Sequence, residues 1–395
     1  MGNGATPTVP GGPLRGVCWI TFAFDIGLST DLAAAERALQ GVGTHRRRLG
    51  AAAAGTVGGI ADAGEHVPPK GPSAQFAYRP PPLVVRLEGS AVAVRPGDAG
   101  CVTEAAAEGV LYDFGAATVT YRIAFQADPE ELVRLSEALY ENAPLIDDAR
   151  ARARALLARL GGAVSRPGLS PLVEDYHVWR LEEPAGEPDA ETWLAAHAAW
   201  VARLLRAECR SLAPSQRSDA LASRLSYGER DMAIVDWNAA LLMGSEGEDA
   251  RAILEFANVE LLEVCFLDDR LDEALERAYQ AVRHDQPPWA WARQLFGRPA
   301  AELEQTARLL IDSALLFEEV NNALKLLGDQ HLARLYGLAA RRFHLPEWDA
   351  SILRKMHTVE SVHDKLAGRQ TNRRMEVLEW IVIVLIALEI VLALR

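Results

Sequence analysis

The sequence predicts an α+β fold with two domains and a C-terminal anchor. Three features carry this prediction: a change of hydrophobic periodicity near residue 185, two long heptad-patterned stretches after it, and an apolar run at the end of the chain. We therefore expect a split-βαβ-like N-terminal domain and then an all-α domain with a long antiparallel coiled-coil-like hairpin. A single C-terminal transmembrane helix completes the expected fold.

The first domain is expected to span residues 14–185, after a Gly- and Pro-rich N-terminus at 1–13 that we predict to be disordered. Short apolar runs such as 17–24 and 173–181 predict strands, with two helices and several hairpins between them. The stretch 41–82 is rich in Gly, Ala and Pro, which is typical of a long loop. Strands separated by helices and hairpins indicate an open α+β sandwich.

The second domain, 186–372, is predicted to be helical throughout, including the segment 226–243. Apolar residues recur at alternating spacings of three and four over 254–282 and again over 303–327. Such spacing is typical of coiled-coil packing. Pro287 and Pro288 separate the two stretches, so the sequence predicts that they fold back as an antiparallel hairpin.

The last segment, 375–395, is predicted to be a membrane anchor. Residues 377–394 are apolar except for two glutamates, and about 27 Å of helix comes close to the thickness of a hydrocarbon core. Basic residues precede the apolar run, which predicts that the N-terminal bulk lies on the cytoplasmic side of a single-pass protein. The expected anchor residues are Trp380, Glu389, Arg373 and Arg374.

Composition argues against several functions. A net charge of −13 disfavours a general nucleic-acid surface, and four scattered cysteines without CxxC spacing disfavour a structural zinc site. The sequence also lacks the GxSxG, HExxH and phosphate-loop patterns. We therefore predict a protein that is not an enzyme, with no catalytic, cofactor-binding or metal-binding residues.

One group of residues resembles a known family. The group comprises Tyr227, the run Asp236-Trp237-Asn238, and a helical stretch, 254–263, that contains Glu255 and Asn258. Together with the Leu-Glu-Trp-Ile start of the apolar run, it resembles the required-for-meiotic-nuclear-division family (RMD/Sif type, a domain of unknown function). The resemblance implies a membrane-anchored, non-catalytic oligomer, and a ribosome or protein partner linked to translation.

The sequence-based hypothesis is therefore a membrane-anchored scaffold or tether that binds lipid through its anchor and forms a homo-oligomer. In this hypothesis Trp237 fills a joint between domains and Asn238 caps a helix end. One alternative is a membrane-tethered enzyme with a polar site around Asp231, Asp236 and Asn238. Another alternative is an oligomeric pore or transport accessory, with Glu389 facing inward.

Overall fold

The computed structural model describes two compact units. The first unit contains the described residues up to Glu263 together with 330–346, and the second contains Val264 onward in the same helix together with the residues after Pro346. The described residues are 13–41, 43–46, 80–94, 101–182, 189–226, 228–244, 247–283, 311, 314 and 330–393.

The first unit is built on a nine-stranded mixed sheet, in the order β3-β4-β5-β6-β1-β8-β11-β10-β9. All neighbouring strands are antiparallel except β8 and β11, which are parallel. A short antiparallel pair, β2 with β7, stands apart. The strands are β1 (Leu14–Asp25), β2 (Ser29–Thr30), β3 (Thr44–Arg46), β4 (Leu83–Leu87), β5 (Ala107–Leu111), β6 (Ala116–Ala127), β7 (Val164–Ser165), β8 (Glu174–Leu181), β9 (Arg224–Leu225), β10 (Met232–Val235) and β11 (Ala239–Met243).

The described part of the chain also contains eight α-helices. They are α1 (Leu32–Ala38), α2 (Pro129–Leu139), α3 (Ala143–Leu160), α4 (Ala190–Leu205), α5 (Pro214–Ala220), α6 (Gly247–Arg283), α7 (Gln330–Arg342) and α8 (Leu345–Ala393). Local sequence explains where several of them begin. Asp31, Asn142 and Asp189 accept backbone N–H bonds at the starts of α1, α3 and α4, and so satisfy donors that a helix leaves open.

One face of the sheet carries the apolar core. Alternate residues of β1, such as Ile20 and Phe22, face the same side as Trp179 of β8. Helices α2, α3 and α4 cover them with buried side chains that include Leu132 and Trp193. Burial of these apolar side chains is the main contribution to the stability of this layer.

The other face of the sheet is covered by the first half of α6 and by α7, and it is unusually polar. The guanidinium of Arg251 lies 5.5 Å from the ring centre of Trp19 on β1. Tyr176 of β8 contacts Phe343, which follows α7, with ring centres 5.2 Å apart. The first unit is therefore three-layered, and α+β is the correct fold class.

The segment predicted as helical at 226–243 instead supplies strands. Residues 232–235 and 239–243 form β10 and β11, and β11 joins the sheet beside β8. Both strands are buried on both faces, so they lack the alternating pattern that reveals a strand, and short apolar runs do not distinguish strand from helix. The sheet therefore continues past the predicted boundary at 185/186.

The second unit consists of helical segments over its described residues. The predicted helix at 254–282 lies within α6, whereas the predicted return arm at 303–327 falls almost entirely outside the described residues. Within this unit, Nζ of Lys355 on α8 lies 2.7 Å from a carboxylate oxygen of Asp268 and 2.6 Å from one of Asp272. Asp268 therefore has a cationic partner of the kind that a carboxylate at a heptad seam requires.

The membrane prediction is wrong. Over the described residues, no helix is both long enough and apolar enough to cross a bilayer. Residues 375–393 of the predicted anchor lie in α8, which begins at Leu345, and Glu379 and Glu389 interrupt the apolar run; a carboxylate is costly in hydrocarbon. The single-pass anchor and the membrane localisation are therefore corrected. Trp380, Glu389, Arg373 and Arg374 lie in α8, and their side chains are outside the described set.

Gly115 offers a test of the turn between β5 and β6. Its φ is +90°, and a Cβ there would lie 1.9 Å from the carbonyl oxygen of Gly27. Gly115→Ala should therefore lower the free energy of unfolding by roughly 2 kcal/mol or more, because strain and overlap act together. Gly162→Ala is the matched control, since its Cβ would meet nothing within 4 Å. Equal urea midpoints for the two variants would contradict this account.

Candidate functional site

The β10–β11 turn brings Asp236, Trp237 and Asn238 to one end of the sheet. The backbone N–H of Asp236 donates to the carbonyl of Ala239 at 2.9 Å, which closes the turn. The side chain of Asp236 accepts the N–H of Trp237 at 2.9 Å. The hydroxyl of Tyr176 on β8 donates to the backbone carbonyl of Asp236, also at 2.9 Å. These bonds fix the turn against the neighbouring strands.

Asp236 is fully buried and lies between two arginines. Arg206, at the end of α4, donates its Nε–H to one carboxylate oxygen. Arg342, at the end of α7, donates to the other oxygen through Nε at 2.8 Å and through Nη2. Asp219 of α5 accepts from both arginines, at 2.5 Å from Arg206 and 2.8 Å from Arg342. We call these four residues the ion cluster.

The ion cluster is balanced in charge, with two carboxylates facing two guanidinium groups. Hydrogen bonds from Arg342 and then from Arg206 lower the pKa of Asp219 to about 2. The same contacts, first with Asp219 and then with Asp236, raise the pKa of Arg342.

Because α4 and α7 lie on opposite faces of the sheet, the ion cluster joins both helical layers to the turn between β10 and β11. Both carboxylate oxygens of Asp236 accept hydrogen bonds from arginine, so this side chain is engaged in contacts that fix the turn.

Above the ion cluster, two aromatic side chains remain open to solvent. Trp237 is 47 % exposed and Tyr140, which ends α2, is 40 % exposed. Their ring centres lie 6.3 Å apart with an angle of 86° between the ring planes. The sequence predicts that Trp237 fills a joint between domains, whereas here it stands in a turn between strands and Tyr140 covers only part of it. We call Tyr140 and Trp237 the aromatic pair.

A second polar cluster lies beneath α6. Glu255, 1 % exposed, accepts hydrogen bonds from the hydroxyls of Thr118 at 2.8 Å and Tyr112 at 3.3 Å. It also accepts one from Nη1 of Arg251 at 3.3 Å, and Arg251 in turn donates to Glu108 at 2.8 Å. Each of these charges has a partner of opposite charge, so the cluster holds α6 to the sheet.

Two carboxyl groups, Glu263 of α6 and Glu174 of β8, have raised pKa values. Glu263 is fully buried, its oxygens have no hydrogen-bond partner among the described residues, and burial followed by the charge of Asp25 raises its pKa well above the usual range. Burial, and then the neighbouring Asp175, raises the pKa of Glu174 to about 7. The side-chain amide of Asn258 donates to the backbone carbonyl of Glu174 at 3.2 Å, which holds α6 over this region.

The predicted site residues do not form one site. Asp231 and Asp236 flank the four-residue strand β10, so they stand roughly 16 Å apart at about 3.3 Å per residue. Glu255 and Asn258 belong to the region beneath α6. Tyr227 lies outside the described residues. Asn238 is 4 % exposed and its amide nitrogen has no hydrogen-bond partner among the described residues.

Sequence reasoning missed Arg206, Asp219, Arg342 and Tyr140. Arg206 and Arg342 are separated from Asp236 by 30 and 106 residues along the chain. No local spacing therefore links them. An arginine at the end of a helix is ordinarily explained by the helix dipole, so neither position stands out in the sequence.

The fold and this geometry define an α+β protein with a mixed sheet, in which a buried ion cluster supports exposed aromatic side chains. A family model described as "Uncharacterized protein MJ0711, N-terminal domain" matches residues 15–250, and the chain belongs to this family. The protein of that name from Methanocaldococcus jannaschii is 22 % identical over 224 residues, which cover 56 % of this chain and 66 % of the relative, slightly less than two thirds of its length. No solved structure matches.

The comparisons overturn the predicted RMD/Sif membership. They place residues 15–250 in a different family, and nothing in them indicates the RMD/Sif type. The residues that suggested the resemblance have another explanation, since Glu255 and Asn258 bind the sheet beneath α6. The membrane anchor and the ribosome link that came with the resemblance lose their support together with it.

Asp236→Asn should lower the free energy of unfolding by about 3 kcal/mol or more, because it leaves two largely buried guanidinium groups with a single, exposed carboxylate. Glu191→Gln is the control, since it removes an exposed ion pair with Arg224 and should change stability by less than about 1 kcal/mol. Urea unfolding of the full chain measures both. Similar midpoint shifts for the two variants would contradict the role assigned to the ion cluster.

Glu174→Gln should change how stability depends on pH. Because the folded-state pKa of Glu174 lies at about 7, above its ordinary 4.5, the wild type has its full stability below about pH 4.5 and loses part of it as pH rises through 7. The Gln variant lacks the titrating carboxyl group and should not show this loss. Between pH 4 and pH 8, the free energy of unfolding of the variant relative to that of wild type should therefore rise by about 2 kcal/mol, a figure that allows for solvent screening of a half-buried group. Glu88→Gln, at an exposed position, should show no such trend. Parallel stability curves for wild type and Glu174→Gln would refute the prediction.

Proposed function

We propose that this protein is a non-catalytic scaffold that binds a protein partner through the aromatic pair. The observation that carries the proposal is the half-exposure of Trp237 and Tyr140 on a turn that the ion cluster holds in place. In the described part of the first unit, the large apolar side chains exposed to this degree are Val102, Tyr140 and Trp237. Tryptophan and tyrosine on a rigid base are the side chains that contribute most to protein interfaces.

The state of the polar residues also favours binding over catalysis. Asp236 and Glu255 each accept hydrogen bonds from arginine and from further donors, so both carboxylates are engaged in contacts within the protein. An enzyme built on Asp231, Asp236 and Asn238 would need these side chains at one point, whereas β10 separates the two aspartates. The proposal therefore keeps the scaffold of the sequence-based hypothesis and drops its membrane anchor.

A second candidate function has one observation in its favour. The pKa of Glu174 at about 7 suits a general acid or base near neutral pH. An enzyme using Glu174 would lose turnover in Glu174→Gln while its fold stayed intact. The scaffold proposal expects partner binding by that variant to be unchanged.

Several finer expectations stay predictions. The split-βαβ arrangement and the coiled-coil-like pairing of α6 with 303–327 belong to this group, as does the homo-oligomer. The predicted homo-oligomer is motivated by an apolar strip at Leu309 and Leu316, which lie outside the described residues. Sedimentation of the full chain, with and without the double substitution Leu309→Glu and Leu316→Glu, measures its oligomeric state.

The scaffold proposal is tested by photo-crosslinking at the aromatic pair. With p-benzoyl-phenylalanine in place of Tyr140, the protein in its native host should give one discrete adduct, either with a partner or with a second copy of itself. The same group in place of Arg159, an exposed position on α3, is the control and should give none. Trp237→Ala should reduce the Tyr140 adduct by about 30-fold, as expected for an interface residue that contributes about 2 kcal/mol.

Trp237→Ala should leave the melting temperature nearly unchanged, because a half-exposed ring leaves no enclosed cavity. Yields at Tyr140 no higher than at Arg159 would refute the proposal. An adduct that is insensitive to Trp237→Ala would refute it as well.

A further inference from the structure

The aromatic pair forms a corner that suits a flat cation. Two rings at 86° with centres 6.3 Å apart present two nearly perpendicular surfaces, and both remain about half exposed. A cation is attracted to the face of an aromatic ring by the ring quadrupole, and tryptophan gives the strongest interaction. A group placed in this corner contacts both rings at once.

Carboxylates border the corner. Glu141 follows Tyr140 directly, and its backbone adopts φ +49°, a conformation rare for a residue other than glycine. The pKa of Tyr140 is raised by burial, then by the charge of Glu141 and a hydrogen bond with its side chain, and then by the charge of Asp175. Nε2 of His177 lies 3.4 Å from Asp175, while Asp175 remains partly exposed.

The arginines beneath the corner do not cancel this negative charge. Arg206 and Arg342 are each bound to Asp219 and Asp236, so the ion cluster contributes two positive and two negative charges. Glu141 and Asp175 add two further acidic groups beside Tyr140, which disfavours an anionic partner and favours a cationic one.

The chemistry of the corner favours a guanidinium over an ammonium group. A guanidinium is planar, so it stacks on an indole or phenol face while its N–H groups point outward to carboxylates in the same plane. An ammonium group is compact and more strongly hydrated, so it gains less from two ring faces.

We propose that Trp237, Tyr140, Glu141 and Asp175 form a receptor for an arginine side chain of the partner protein. This inference rests on the proposed scaffold function and specifies the chemistry that the scaffold recognises. In the bound state the guanidinium lies against the indole of Trp237, with Tyr140 as the second wall and the two carboxylates as hydrogen-bond acceptors.

The test uses the full chain labelled with 5-fluorotryptophan and monitored by ¹⁹F NMR. The chain contains nine tryptophans, and loss of one signal in Trp237→Phe assigns the resonance of Trp237. The probes are acetyl-Gly-Arg-Gly-amide and its citrulline counterpart, which has the same shape without the charge. The arginine peptide should shift the Trp237 signal saturably with a dissociation constant on the order of millimolar. The citrulline peptide should bind at least about tenfold more weakly, since it lacks the cation.

Two variants test the carboxylates. Glu141→Gln and Asp175→Asn should each raise the dissociation constant of the arginine peptide by roughly threefold to tenfold, which is the effect expected from losing an exposed charge contact. Glu191→Gln, which removes an exposed carboxylate that pairs with Arg224, should leave the affinity unchanged. The wild-type pattern of the remaining fluorine signals verifies that each variant is folded.

Equal binding of arginine and citrulline peptides would overturn the proposal, and so would the absence of a saturable shift. A lysine peptide that binds as tightly as the arginine peptide would overturn the choice of guanidinium. A crosslinked adduct at Tyr140 without arginine binding would refute this inference alone and leave the scaffold in place. Loss of the adduct would instead refute the scaffold.

Discussion

The buried carboxylate of Asp236 is the constraint on which much of the first unit depends. A charge removed from water destabilises the fold unless partners of opposite charge surround it. Here the partners come from α4 and α7, on opposite faces of the sheet, and Asp219 of α5 completes the balance. The folded state therefore requires both helical layers to reach the β10–β11 turn together. These ion pairs therefore connect the β10–β11 end of the sheet to the helices on both of its faces.

The same constraint explains why the exposed aromatic pair has a defined geometry. Trp237 follows Asp236 directly, and its backbone N–H is bound by the Asp236 carboxylate. A large side chain on an unsupported turn would sample many orientations and would lose entropy on binding. The ion cluster removes part of that cost, because it fixes the backbone from which Trp237 projects. The buried ion cluster thus fixes the backbone that presents the exposed side chain of Trp237.

The interface between α6 and the sheet follows a different rule from the core on the opposite face. Apolar side chains fill the space between the sheet and α2, α3 and α4, whereas Arg251, Glu255 and Asn258 face the sheet from α6. Hydrogen bonds depend on direction, so such an interface specifies one register more strictly than apolar contact does. The part of α6 that belongs to the first unit is thereby held in one position over the sheet.

The sequence by itself determined the α+β class, the strand at the start of the chain and the long helix over 254–282, because each is encoded by periodicity within a short window. It also singled out Asp236, Trp237 and Asn238 as a dense polar and aromatic run. Only the tertiary structure decided that 232–243 is a hairpin inside the sheet, since a strand buried on both faces has no alternating pattern. Likewise, only the fold brings Arg206 and Arg342 to Asp236 and Tyr140 to Trp237, because contacts across 30 to 106 residues are set by the packing of layers and leave no spacing in the sequence.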